Sequence, residues 1–579
     1  MPNVVAILCA VPVLAMALAV APAATAEPVP AAVQALETDA QALVRRARHP
    51  GLAVAVVDRG EVVWSGAFGQ TGRGGGAMAV DTPMPLGELG ELYLGALALR
   101  LAHRGELDLD RPLPVADLDP RGLDAGAPTL RQALSHHSGL RGLRLHGMYR
   151  EPDVPDDGVD PLAELYLLDR PGLSQGRSPL AIELVARALE SAAGASLPEL
   201  IQREVAGPLG LAAPRVGGRF EATLHDRGRP EPTREAREAA ALGMQASLSE
   251  LAALVAALWP DRHPEWLPGS ALQPLYVAQN HEARPDLRQR TALAYRLEFD
   301  TRPGVGAIAR IDSTVPASHA SVRLAVDHGV GVVAVANFGE ANRALPEVLD
   351  EALDALLRER LPGLAARDPD AAVPLGIGLP EGVEPDSAAD RYASFAGVIA
   401  VDGVDGTLDV RWLGWRFGGY PRGDGWYRPR LRVLRIPIGL GALERVALRP
   451  VRIQGERVLL VTGPSGRMFV LGRELPAHEV PEQALASLGR YRIQTVDALL
   501  ERGRVREVEL VHEDGLLRLQ AGLRAGPLSA RLDLPLVHER DGYFRVPGLG
   551  PGLGERVELL NGEGPPRIRF SGYEAVREP

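Results

Sequence analysis

Two glutamates three residues apart, in Gly87-Glu88-Leu89-Gly90-Glu91, stand at the head of an apolar stretch with helical spacing. Positions three apart share a helix face, so the pair can act as acid and base or share a cation. The same placement suits plain helix energetics. Carboxylates in a first turn meet the positive end of the helix dipole, which contributes about 0.3–1 kcal/mol each, and this is the role expected of them. His136 and His137 offer imidazoles for base or metal chemistry, but adjacent side chains on a loop point apart, and a framework role is expected. Ser135, Ser138 and Ser178 carry hydroxyls with no base at a recognisable spacing, and Ser313 and His319 would pair only by accident. Gly74 to Gly76 lacks the lysine of a phosphate loop and reads as a turn. No Cys/His set has zinc spacing, so neither metal nor cofactor is expected. The chain contains no lysine at all. Its basic side chains other than histidine are arginines, which stay protonated and cannot take up a proton as a base.

The elements that must hold these residues follow from periodicity. Residues 30–47 have helical spacing, and Gly51 to Asp58 and Glu61 to Phe68 read as strands joined by a turn at Arg59-Gly60. Residues 88–104 read as a helix, and 130–300 as short helices among Pro/Gly loops. Three strands (Ala307 to Ile311, Ser321 to Val326, Val330 to Ala336) and an amphipathic helix over 343–360 complete a sheet flanked by helices, with a second helical lobe across a cleft. Residues 363–389 read as a linker. Two all-β modules, 390–475 and 488–579, follow, because Arg391-Tyr392 recurs as Arg490-Tyr491 and Gly455-Glu456-Arg457-Val458 as Gly554-Glu555-Arg556-Val557, both at one offset. Short strands at this spacing suit small closed barrels.

The whole chain bounds the function. It has 579 residues, 46% hydrophobic and 24% charged, and a net charge of -11. That is a multidomain globular protein without the basic surface that phosphate backbones require, so no nucleic-acid partner is expected. An apolar run over 4–20 followed by Ala24-Thr25-Ala26 reads as a secretory signal, 1–26, which implies a periplasmic or secreted protein. The single cysteine, Cys9, lies inside it. No later segment is long and apolar enough to span a bilayer, and no membrane contact beyond the signal is expected.

Five segments in order carry a resemblance. They are Pro50-Gly51-Leu52-Ala53-Val54-Ala55-Val56-Val57, Gly105-Glu106-Leu107-Asp108-Leu109-Asp110-Arg111-Pro112-Leu113, Leu134-Ser135-His136-His137-Ser138-Gly139-Leu140, Pro208-Leu209-Gly210-Leu211 and Gly331-Val332-Val333-Ala334-Val335-Ala336-Asn337. Together they resemble the family of class C β-lactamases, low-molecular-mass penicillin-binding proteins, esterases and D-aminopeptidases. The resemblance implies an α/β (α+β) β-lactamase/transpeptidase-like domain over 30–362. Its antiparallel sheet would be flanked by helices, with a helical lobe beside it. The two barrels behind it resemble the D-aminopeptidase branch.

The chemistry of that family uses a serine at a helix start and a lysine one turn on, a Tyr-x-Asn motif, and a strand motif with His or Lys. Counted without gaps from Gly105, the serine and lysine fall on Glu88 and Glu91. Counted from Gly194, the Tyr-x-Asn motif falls on Arg177-Ser178-Pro179. Counted from the last strand, the His-x-Gly motif falls on Ile311-Asp312-Ser313. All three motifs are lost while the scaffold segments remain. Glu88, Glu91, Arg177, Ser178, Asp312 and Ser313 are the side chains expected along the cleft, and Arg177 is expected to pair with Glu88 or Glu91. The resemblance thus implies an exported, non-catalytic relative that binds a peptide, cell-wall fragment or envelope protein. The alternatives are an active peptidase, esterase or β-lactamase with a non-standard site, and a metal-assisted enzyme using Glu88, Glu91 and His136.

Overall fold

The computed structural model describes residues 30–579 apart from 48–49, 73–74, 115–125, 143–144, 151–159, 161, 163–164, 233, 288, 301, 368–377, 395–396, 405, 434–435, 439–445, 464–467, 476, 496–504, 526–527, 541, 548–554 and 563. The segment read as a secretory signal, with Cys9, and Gly74 lie outside the described residues.

Helix α1 (Ala31–Arg46) forms because Val33, Leu36, Ala40 and Leu43 fall on one face and bury together. Strands β1 (Gly51–Asp58) and β2 (Glu61–Gly69) follow. Their connection at Arg59-Gly60 takes positive φ at both residues, 48° and 78°, the twist a two-residue hairpin turn needs. Then come helices α2 (Glu91–His103), α3 (Pro179–Ala193) and α4 (Leu248–Ala257). Strands β3 (Arg290–Thr291), β4 (Arg296–Phe299), β5 (Ala307–Val315), β6 (Ser318–Ala325) and β7 (Val330–Ala336), and helix α5 (Ala341–Arg360), end the domain. The strands make one antiparallel sheet in the order β3-β4-β5-β6-β7-β1-β2. Strand β5 runs four residues past its expected end, to Val315, before the Pro316-Ala317 turn, and so carries Asp312 and Ser313 inside the sheet.

The sheet is covered on both faces, which explains the unbroken apolar run of β1. Leu52, Val54 and Val56 enter a core with α1 and α5. Ala53, Ala55 and Val57 enter the larger core shared with α2, α3 and α4. The helical lobe lies on this second side, as the sequence pattern implies.

Behind this domain lie two closed eight-stranded barrels. The first is β8 (Arg391–Ser394), β9 (Gly397–Val404), β10 (Thr407–Trp412), β11 (Trp415–Pro421), β12 (Tyr427–Val433), β13 (Ala447–Ile453), β14 (Glu456–Thr462) and β15 (Met468–Glu474), closed by the pairing of β12 with β13 and of β8 with β15. The stretch read as a linker contributes a strand of its own, Val383–Pro385, paired along β13 with Val383 buried. The second is β16 (Gly489–Ile493), β17 (Glu507–Glu513), β18 (Leu516–Ala525), β19 (Leu528–Arg540), β20 (Tyr543–Arg545), β21 (Arg556–Leu560), β22 (Arg567–Phe570) and β23 (Tyr573–Arg577).

The repeat that announced these modules is half right. Tyr392 and Tyr491 are equivalent: each is fully buried on a first strand that pairs with the last. The second landmark is not equivalent. Glu456 opens the seventh strand of its barrel, whereas Arg556 opens the sixth of the other. Strand and loop lengths inside the modules differ, so a constant offset cannot hold beyond the first strand.

The second barrel contacts the front domain through a buried cluster. Glu555 accepts hydrogen bonds from Arg141 at 3.1 Å and from the Tyr166 hydroxyl at 3.0 Å, and the Arg141 and Arg556 guanidiniums lie over the Tyr166 ring.

Candidate functional site

The chain enters α2 through a tight turn, Gly87–Gly90, of 3-10 geometry. Gly87 is obligatory there. Its φ is +51°, and an added Cβ would sit 2.2 Å from Ser313 Oγ on β5. This approach lets Ser313 serve Glu88 twice. The Glu88 amide donates to Ser313 Oγ at 2.9 Å, and the Ser313 hydroxyl donates to the Glu88 carboxylate. Ser313 is buried, whereas the Glu88 side chain keeps about 20% of its exposure.

Glu91, at the first position of α2, is only 3% exposed. Arg177 spans both acids, 3.3 Å from Glu91 Oε1 and 3.6 Å from Glu88 Oε1, so the expected ion pair is present with both partners. One guanidinium cannot neutralise two carboxylates. Burial pushes the Glu91 carboxyl up to about 8 against the pull of Arg177, and the neighbouring Glu88 adds to the rise. The far oxygen of Glu91 faces His136 Nε2 at 3.2 Å. Burial holds that imidazole well below its usual range, and the Arg177 charge pushes it further down. The contact is therefore a protonated acid against a neutral ring. The dipole role expected for the two acids understates their part, for they form the centre of a buried polar cluster.

Local sequence explains each position. Arg177 is delivered by the start of α3, where Ser178 is the N-cap and Pro179 sits in the first turn. Ser178 Oγ accepts from the Ala181 amide at 3.0 Å and donates to the Arg141 carbonyl. It is thus a buried cap whose hydroxyl is already engaged. His136 lies at φ +63°, an uncommon conformation for a side-chain-bearing residue, and this turns its ring toward Glu91. His137 points elsewhere, with Nδ1 on the Ser135 carbonyl at 2.7 Å and Nε2 on Asp286 at 2.5 Å. The framework role holds for His137. For His136 it misses the contact with Glu91, and no spacing in the sequence signals that positive φ.

The remaining candidates divide. Ser135 donates to the Arg131 carbonyl and Ser138 accepts from the Leu140 amide, so both serve the loop. Ile311 is core. Asp312, one residue from Ser313 and so on the other face of β5, is taken by Arg323 at 2.8 Å and Ser321 at 2.6 Å, in a network with Arg310 and Asp350 of α5. His319 lies opposite Thr314 and bonds Asn342 at 2.9 Å, so it does not serve Ser313. Among the described residues, no group of three or more His, Cys, Asp or Glu is arranged to hold a metal ion.

Comparison with known proteins matches residues 35–357, more than half of the chain, to the family model described as Beta-lactamase. The chain belongs to the β-lactamase family. The match runs from α1 into α5 and leaves both barrels outside. Among characterised proteins the chain is similar to the esterase EstB of Burkholderia gladioli, 33% identical over 217 residues, which is 33% of this chain and 54% of that protein. The chain thus spans about half the length of that relative. Among solved structures it is similar to SurE, seen with D-Leu, at a TM-score of 0.52 and 22% identity over 76% of this chain and 100% of the other. It is also similar to an octameric penicillin-binding protein homologue from Pyrococcus abyssi, at a TM-score of 0.48 and 16% identity over 74% of this chain and 98% of the other. At 22% identity the likeness to SurE speaks for the fold alone. In this β-lactamase-family domain the Glu88–Glu91–Arg177–His136 cluster and the Arg310–Asp312–Arg323–Asp350 network sit on opposite faces of one strand, β5.

Proposed function

We propose that this chain is a non-catalytic member of the β-lactamase family, an exported binding or regulatory protein. The observation that carries the reading is Glu88. A carboxylate, fixed by Ser313 and Arg177, occupies the helix start where acyl transfer needs a hydroxyl. One turn on, where a proton-accepting amine is required, stands the buried Glu91, which holds its own proton at neutral pH. No lysine exists to act from elsewhere, and Ser135, Ser138 and Ser178 are bonded to backbone carbonyls and amides rather than to a base. The Glu88 and Arg177 side chains keep 20% and 34% of their exposure, so the cluster presents a carboxylate and a guanidinium at the cleft. A peptide or cell-wall fragment, with paired amide and charged groups, suits that surface, as does another envelope protein.

The test is covalent labelling of the purified chain with a fluorescent β-lactam and with a fluorophosphonate, read by intact mass. No adduct is expected. An adduct abolished by changing Ser135, Ser138, Ser178 or Ser313 would overturn the reading. Export is tested separately by fractionation and N-terminal sequencing, with a mature chain beginning at Glu27 expected.

One observation favours a second reading. An acid displaced to about 8 and in contact with an imidazole is what a general acid in a working site looks like. The chain would then be a hydrolase with a non-standard site, and turnover of an ester substrate abolished by Glu91→Gln would establish it.

A further inference from the structure

The net charge of -11 is an average over unlike parts. Residues 390–475, the first barrel, contain fourteen arginines against eight aspartates and glutamates, a surplus of six positive charges. The fold gathers part of that surplus on one face. Leu408 and Val410 enter the barrel core, with Trp412, Phe417 and Tyr427 packed against it, so alternation turns Arg411, Arg416, Tyr420, Arg428, Arg430 and Arg432 of β10, β11 and β12 outward. Arg411 lies directly opposite Arg416 across the strands, a pairing of like charges that costs stability. The acids on the same face take up part of the charge: Asp402 pairs with Arg411, and Asp409 with Arg416 and Arg432. Arg430 and Arg432 stack over the Tyr420 ring.

At the edge of this face the β10–β11 hairpin ends in Trp412-Leu413-Gly414-Trp415. Both turn residues have positive φ, 53° for Leu413 and 77° for Gly414. A turn of this kind normally takes Asn or Asp at its first position, because a leucine there is strained. Here the leucine is also 43% exposed, and Trp415, at 58%, is the most exposed large apolar side chain among the described residues. An arginine face beside an apolar, aromatic tip has the make-up of an element that lies on a lipid surface, with the tip among the acyl chains and the cations at the headgroups. Tryptophan in particular favours that interface.

We infer that the first barrel docks on an anionic phospholipid bilayer through the Leu413/Trp415 hairpin tip and the arginine face of β10–β12. A nucleic acid or an acidic polysaccharide would use the arginines but leaves the exposed Leu413 without a purpose. The inference departs from the expectation of no membrane contact, which rested on the lack of a long apolar span and does not see a face assembled from three strands. It does not rest on the proposed function, since no residue of the Glu88 cluster takes part.

The test is sedimentation of the full chain with phosphatidylcholine vesicles, with and without phosphatidylglycerol. Binding is expected to the anionic vesicles, weakened by salt, with little to phosphatidylcholine alone. Leu413→Asn combined with Trp415→Thr places better turn and strand formers at the tip, so the thermal melt should hold while partitioning falls about tenfold. Leu413→Asn alone gives a milder loss and serves if the double variant folds poorly. Arg428→Gln with Arg430→Gln and Arg432→Gln should remove most of the salt dependence. Failure of the intact chain to bind anionic vesicles, equal binding to neutral ones, or unchanged binding by the tip variants would overturn the inference.

Discussion

The two charge clusters flanking β5 differ in balance, and the difference decides what each can be. On the α5 face, Arg310, Arg323 and Arg367 meet Glu298, Asp312 and Asp350, cation for carboxylate. Burial raises the Asp312 and Asp350 carboxyls, but the fully buried Arg323 guanidinium between them, together with Arg310 and, for one each, Ser321 and Arg367, holds both below their usual value. On the α2 face a single arginine serves two glutamates, and the surplus is relieved by Glu91 keeping a proton. A matched network is a fixed part of the framework. An unmatched one has a proton or a ligand still to exchange, which is why the α2 side reads as a site.

Breaking each cluster should expose that asymmetry. The largest effect belongs to Arg323→Met, which removes the fully buried cation shared by Asp312 and Asp350, leaves them only Arg310 and Arg367, and should cost about 3 kcal/mol in urea unfolding. Adding Asp350→Asn should return a good part of the loss, since it restores the match. Gly87→Ala comes next. The left-handed φ and the close Ser313 hydroxyl should together cost about 2 kcal/mol and pull Ser313 away from Glu88. Arg177→Met should cost less, about 1–2 kcal/mol, because Arg177 is partly exposed and Glu91 can take the resulting strain as a tighter-held proton. A loss from Arg177→Met as large as that from Arg323→Met would erase the distinction between the clusters.

How far the sequence reveals this depends on whether a contact is local. Continuous apolar runs mark β1, β6 and β7, because each buries on both faces of one sheet, whereas β2, a largely exposed edge strand, is marked by its hairpin turn. The Ser178-Pro179 helix start is local too, with cap and first-turn proline adjacent, but counting along the sequence places only the lost Tyr-x-Asn motif there. Arg177 could be placed against Glu88 and Glu91 because two acids in a cleft need a counter-charge and the family resemblance sets position 177 at the same site. His136 is grouped with Glu88 and Glu91 in only one of the alternatives, and its direct contact with Glu91 is not legible, for it depends on a positive φ at a histidine. Nor could Asp312 be separated from Ser313. The sequence puts them side by side, and only the pleat of β5 sends one to Arg323 and the other to Glu88. The arginine face of the first barrel is hidden for the same reason, being spread over three strands that adjoin only in the fold.

The smallest effect tests the comparison most directly, through pH. The α5-face aspartates lie below their ordinary value of 3.8, so their contribution is present above that value and is lost as pH falls through their folded values. Glu91 has the opposite sign. Its carboxyl rises from 4.5 to about 8 on folding, so between those values the native state keeps a proton that the unfolded chain has released. Stability from this group is whole below about 4.5, declines as pH rises toward 8, and levels off beyond. Glu183 and Glu238, also buried and raised to about 7, slope the same way, so the difference between variant and parent is the quantity to follow. Glu91→Gln keeps an oxygen for Arg177 and removes the titration. Its difference curve should be lowest at pH 4, where both side chains are neutral, and rise steadily toward pH 8. A flat difference curve across that range would mean that Glu91 is ionised in the folded chain, and the α2 cluster would then be as settled as its counterpart across the strand.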